Sequence, residues 1–272
     1  LSPQVLQDEP ALAVEAALAV HDLPVRAAFS ALAKVLDYDG AHLQNRALVH
    51  RALNAAFHLG GPHQAHRLAT AATRLGMRED MRIEALRMLR SWAQPSGRDA
   101  VPGLWRPITK RAAQPAIDAL GARIGGLLAG TPTGVRKAAL NAARQLGLPG
   151  AARAAFALAT NGQAAADLRA DALRLLTALD DPRLGEATQV AAASSETALR
   201  SAAFDALSKL DPARATAVLG SVLEQRATVD ATELKNQRAA LTTLAKIDSD
   251  AAVELLGAQL DRLEAGRFPT SL

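Results

Sequence analysis

The chain has no cysteine, so disulfides, thiol catalysis and cysteine-ligated metal or haem are excluded within its 272 residues. Aromatic residues are nearly as scarce. Two Trp, one Tyr and five Phe make up 3% of the sequence, which argues against the aromatic-rich layers of a β-sandwich or barrel. No apolar run approaches the roughly 18 residues of a membrane span, because Arg, Asp or Glu recurs too often, and direct membrane insertion is not expected. A signal-peptide pattern is missing and the first residue is Leu1, so the chain reads as a piece of a longer product. Catalytic signatures are missing as well. There is no G-x-S-x-G elbow, P-loop, dinucleotide fingerprint or H-E-x-x-H, and no cofactor is expected.

What the chain does contain is Ala, Leu and Arg at helical spacing, with an apolar fraction of 49% that suffices for a buried core. Four segments align without gaps: "MRIEALRMLRSW" from Met81, "VRKAALNAARQL" from Val135, "LRADALRLLTAL" from Leu168 and "LRSAAFDALSKL" from Leu199. Each places an Arg after an apolar residue, then Ala followed by Leu or Phe, with apolar positions recurring on one face of a helix. Looser copies are "VRAAFSALAKVL" from Val25, "QRAALTTLAKI" from Gln237 and, more weakly, "NRALVHRALNAAF" from Asn45. Companion helices are expected from Pro149, Pro182, Pro212 and Asp250, and the "LDDP" and "LDP" connections place Asp as an N-cap before a first-turn Pro. Helical hairpins of this size cannot bury their apolar faces alone and must stack. The expected fold is all-α, an α-solenoid of HEAT-like helical hairpins running through residues 1–272 as one domain.

The repeat arginines Arg82, Arg136, Arg169 and Arg200 are followed by Arg238, giving intervals of 54, 33, 31 and 38 residues. The first interval exceeds the next by 21, close to the length of "SWAQPSGRDAVPGLWRPITKR", Ser91–Arg111. An insertion at about residues 93–112 accounts for the surplus. It is too apolar for a disordered linker. Its candidate anchors are Trp92, Arg98, Asp99, Leu104, Trp105 and Arg106. Trp105 either folds back as a plug over the repeat or, with Arg106, meets a partner, since Trp and Arg are favoured interface anchors.

Charge and histidine are both uneven along the chain. Residues 1–130 carry 15 basic and 11 acidic side chains and the remainder 16 of each, so the whole excess of +4 sits in the first half. Residues 74–111 alone hold 9 basic and 4 acidic groups, which read either as a solvated helix surface or as a nucleic-acid-binding face. All six histidines fall before residue 67. His63 and His66 stand one turn apart, but two ligands are too few for a structural metal, and a third would have to come from His58 or a carboxylate. Exposed polar histidines are expected instead. "GARIGG", Gly121–Gly126, reads as glycines for close helix packing.

The Arg-x-x-Ala-(Leu/Phe) units resemble HEAT repeats, in which an arginine opening the second helix meets a nearby acid. Asp80, Asp167 and Glu196 stand ahead of Arg82, Arg169 and Arg200, while no acid precedes Arg136. Taken with "LNAAFHLGGPHQAHRLA", "RIEALRMLRSWAQPSGRDAVPGLWRPI" and "AVEAALAVHDLPV", the chain resembles the HEAT-repeat region of large membrane-bound dehydrogenases of the planctomycete and verrucomicrobial type. In that family a sorbosone-dehydrogenase-like propeller precedes the repeats and a cytochrome c domain follows. The resemblance implies an exported or periplasmic setting. It also implies a non-catalytic scaffold whose partners are neighbouring domains of the same polypeptide or another protein. Nucleic-acid binding through residues 74–111 is the alternative, weakened by the shortage of aromatics for base stacking.

Overall fold

The computed structural model describes residues 2–224 and 231–265 and is all-α, with sixteen α-helices, short 3-10 turns and no strand among the described residues. The chain divides into two compact units, Leu1–Ala151 and Ala152–Leu272.

In the first unit α1 (Pro3–Asp8) and α2 (Pro10–Asp22) lead into α3 (Phe29–Ala33), which is flanked by 3-10 turns. Next come α4 (Arg46–Leu59), α5 (Gly61–Thr73), α6 (Glu79–Arg90), α7 (Gln114–Gly121), α8 (Ile124–Gly130) and α9 (Thr133–Leu146). Packing follows the hairpin logic: α4 and α5 pair, α5 and α6 pair, α4 lies beside α6, and α6 lies beside α9. The α6–α9 contact joins the strict repeat copies on either side of the insertion. Residues 91–113 are non-helical, so the surplus in the arginine spacing corresponds to a real excursion.

The second unit comprises α10 (Ala152–Thr160), α11 (Ala166–Ala178), α12 (Leu184–Ala192), α13 (Thr197–Leu210), α14 (Pro212–Glu224), α15 (Ala231–Leu244) and α16 (Asp250–Glu264). Here α11, α13 and α15 form one row and α10, α12, α14 and α16 pack against it. Alanines at 0% exposure, among them Ala170, Ala172, Ala187 and Ala206, sit between these helices. Small side chains bring the helix axes close, and the leucines fill the space between them.

The caps explain several helix starts. Asn45 Oδ1 accepts from Leu48 N at 3.1 Å to open α4, and Asp211 Oδ1 accepts from Arg214 N at 2.9 Å to open α14 at Pro212. The "LDDP" connection behaves otherwise. Asp181 accepts from Arg183 N in a local turn, Asp180 adopts φ 51°, and α12 begins only at Leu184. "VRAAFSALAKVL" is broken into 3-10, α and 3-10 pieces rather than one repeat helix. "GARIGG" is also read differently by the structure. It spans the break between α7 and α8, and a Cβ on Gly121, Gly125 or Gly126 would meet open space, so close packing is not their role.

The four strict arginines share one register, each the fourth residue of its helix, whereas Arg238 is the eighth residue of α15. Their partners are not the acids expected of a charge ladder. Arg82 Nε donates to Ala72 O at 2.9 Å and Arg169 Nε to Ala159 O at 3.1 Å, in both cases the last-turn carbonyl of the preceding helix ten residues back. Asp80 instead pairs with Arg46 and Arg78. Among the described residues Arg136 reaches only Thr133 Oγ1, and the Nε atoms of Arg136 and Arg200 are buried without a hydrogen-bond partner. A guanidinium on an orphan C-terminal carbonyl satisfies a group that the helix itself cannot. We therefore expect Arg169→Met to cost about 1–3 kcal/mol and Arg200→Met distinctly less, measured as urea-unfolding midpoints of the two variants.

Candidate functional site

The insertion is anchored at its base. Trp92, two residues past the end of α6, is fully buried and meets Phe57 of α4 edge-on with ring centroids 5.9 Å apart. Arg111 closes the far end of the excursion. Its guanidinium lies 3.7 Å from the Trp92 ring centroid and 4.7 Å from that of Phe57. It also donates to Trp92 O at 2.9 Å and to Phe57 O at 2.7 Å, capping the last turn of α4. Burial pushes this guanidinium down to about 10, which leaves it charged at neutral pH. Gly60, with φ +69°, makes room: a Cβ there would stand 2.7 Å from Arg111 Nη1.

Between these ends the chain forms a small hairpin-like turn. Asp99 N donates to Leu104 O, Gly103 N to Asp99 O and Arg106 N to Gly97 O, around a single antiparallel bridge from Arg98 to Trp105. Two side chains of the turn enter the first unit. Arg106 donates to His21 O at 3.0 Å and Asp22 O at 2.6 Å, the final carbonyls of α2. Asp99, with its side chain 1% exposed, accepts from Val101 N at 2.9 Å, stands 3.2 Å from His58 Nε2 and lies 3.9 Å from His21 Nε2. His21 is fully buried, stacked on Phe29 and held by Asp22 Oδ1 at 3.0 Å and Asn54 Oδ1 at 2.9 Å. Arg51 completes the group with a two-pronged contact on Asp22 at 2.7 and 3.0 Å.

Burial acts to raise the Asp99 carboxyl, but hydrogen bonds from His58 and Val101 and the charges of His21 and His58 outweigh it and hold the group below the ordinary carboxylate value. The Arg51 contact holds Asp22 low against a smaller opposing effect of burial, with His21 adding to the lowering.

The sequence-derived anchors thus separate into two sets. Trp92, Asp99 and Arg106 face inward. Arg98 lies at the surface, donating to Gly103 O at 2.8 Å. Leu104 and Trp105 are 55% and 74% exposed. The plug expected of Trp105 is therefore Trp92. The Trp105 ring instead lies over Gly97, where a Cβ would come within 2.3 Å of it. His21, Asn54, Phe57 and Arg111 belong to the site but do not stand out in the sequence, and His58 stands out there only as a possible metal ligand, because nothing in one chain segment signals partners 33 to 85 residues away. The histidines divide too: His63 and His66 are exposed as expected, whereas His21, His42 and His58 are buried or nearly so because each finds a hydrogen-bond partner inside. His66 accepts from Arg123, and His58 turns to Asp99 instead of joining His63 and His66 around a metal. Among the described residues no group of three or more His, Asp or Glu side chains is placed to hold a metal ion, and neither His21 nor His58 hydrogen-bonds a serine or threonine hydroxyl.

The basic stretch at residues 74–111 is largely spent internally. Arg74, Arg82, Arg106 and Arg111 bond main-chain carbonyls, while Arg78 and Arg87 pair with Asp80 and Glu84. No helix among the described residues is long and apolar enough to cross a membrane.

No protein-family model matches the chain, and no match is found among curated proteins.

Because the native Asp99 carboxyl is held low, its ionised form contributes stability that is present above the unfolded-state value of about 3.9 and is lost as pH falls below it. Thermal melts from pH 7 to pH 3 should show Asp99→Asn less stable than wild type at neutral pH by about 1–3 kcal/mol, with the gap closing in acid. A gap independent of pH would assign Asp99 a packing role only.

Proposed function

We propose that this chain is a non-catalytic helical-repeat scaffold that presents the tip of its insertion to a neighbouring protein domain. The observation that carries this reading is a contrast within one loop: its base is pinned by buried Trp92 and Asp99 and by half-buried Arg106 and Arg111, while its tip holds Leu104 and Trp105 in solvent. Leu23 and Val25, 75% and 47% exposed, follow directly on Asp22, whose carbonyl Arg106 bonds, so exposed apolar side chains flank that contact from both chain segments. Apolar groups clustered on a rigid support mark interaction surfaces, and a pre-ordered loop loses little entropy on docking. Trp and Arg are favoured interface anchors, and exposed Arg98 stands opposite Trp105.

In the setting that the family resemblance implies, the domains served are an oxidising propeller and a cytochrome c module of the same polypeptide, and the scaffold spaces and orients them. The nucleic-acid alternative has less support, because of the exposed cations of residues 74–111 just Arg90, Arg98 and Lys110 pair with no acid among the described residues.

Two measurements test the reading. Trp105→Ala should shift stability by no more than about 0.5 kcal/mol, whereas Trp92→Ala should cost about 3–5 kcal/mol, both read by chemical denaturation. In the intact parent polypeptide, a photo-crosslinking residue at position 105 should capture a peptide outside residues 1–272. Crosslinks confined to residues 1–272 would contradict a docking role.

A further inference from the structure

A cavity of about 230 Å³ opens between α4, α6 and the insertion. Phe57, Met88 and Ile108 give it an apolar lining, and His58 and Asp99 border it as a satisfied pair. Charge around it is lopsided: Arg87, Arg90, Arg98 and Arg106 face two carboxylates, Glu84 and Asp99. Both acids are already engaged, Glu84 by Arg87 at 3.3 Å and Asp99 by His58. Arg106 is committed to the end of α2. Arg90 has no side-chain partner among the described residues, and Arg98 uses only Nη1, on Gly103 O, leaving the rest of its fork without a partner. Arg90 comes from α6 and Arg98 from the insertion, so two underused guanidinium groups border the cavity from different chain segments.

We infer that this cavity binds a small organic anion, its carboxylate or phosphate group held by Arg90 and Arg98 and its apolar body lying against Phe57, Met88 and Ile108. Guanidinium forks match both anions in geometry and charge. The apolar lining selects an organic body over an inorganic ion. The volume, below the range of roughly 300–1,000 Å³ typical of drug-sized ligands, limits that body to about one small ring. The inference does not rest on the docking reading, since neither Leu104 nor Trp105 lines the cavity.

The test is calorimetric titration of the whole chain at low salt with four probes: benzoate, phenyl phosphate, neutral benzamide and inorganic phosphate. At least one of the two organic anions should bind about tenfold or more tightly than both benzamide and inorganic phosphate, the factor expected for one charge-assisted contact. Whether benzoate or phenyl phosphate wins identifies the anionic group. The double variant Arg90→Gln, Arg98→Gln, in exposed side chains that leave the core untouched, should keep the wild-type melting temperature and lose that preference. Benzamide binding as well as the anions, inorganic phosphate binding as well as phenyl phosphate, unaltered binding by the double variant, or no heat from any probe at millimolar concentration would each overturn the inference.

Discussion

A guanidinium laid against the last carbonyls of a helix is the contact on which this molecule depends. The four C-terminal carbonyls of an α-helix have no partner within the helix and carry its partial negative charge. In a protein of short helices such ends are frequent, and many of them lie inside. Arg82 and Arg169 serve the ends of α5 and α10, Arg111 that of α4 and Arg106 that of α2, while Lys209 donates to Thr177 O near the end of α11. Arginine suits the task because its stem packs along apolar surface while several donors on a planar head reach different carbonyls.

The same contact builds the insertion into the first unit. Without it, residues 91–113 would be a long connection with one antiparallel bridge to order it. With Arg111 laid over the rings of Trp92 and Phe57, and Arg106 on α2, the excursion is fixed to helices distant in sequence. Asp99 adds a buried carboxylate beside His58, His21 and Arg106, a grouping that stabilises only because its members are present together. Order at the base is what allows Leu104 and Trp105 to remain exposed at a defined place.

Helical periodicity and arginine spacing were enough to read the all-α architecture and the position of the excursion, because both are local patterns with a fixed period. Proline and aspartate likewise announced the start of α14. Less legible was the direction each tryptophan takes: Trp92 continues the apolar face of α6 inward, whereas Trp105 sits opposite Arg98 across a turn from which Asp99 and Arg106 face in. The acids ahead of Arg82 and Arg169 suggested ion pairs, but the Nε of each arginine goes to a carbonyl at the end of the preceding helix instead. Histidine burial was also hidden, since His21 depends on Asn54, 33 residues away, and His58 on Asp99, 41 residues away. Pairings at that separation leave no trace in a periodic pattern.

The proposed scaffold role requires one element to be held still relative to the helices beneath it, so the decisive property is the order of the insertion itself. Native-state hydrogen exchange at neutral pH reads it directly through the amides of Asp99, Gly103, Arg106 and Arg111, each of which donates a main-chain hydrogen bond within the excursion. These amides should be protected and should open together with those of α4. Exchange at the rate of an unstructured peptide, while α4 stays protected, would contradict the claim that buried arginine and aspartate contacts make the insertion part of the fold.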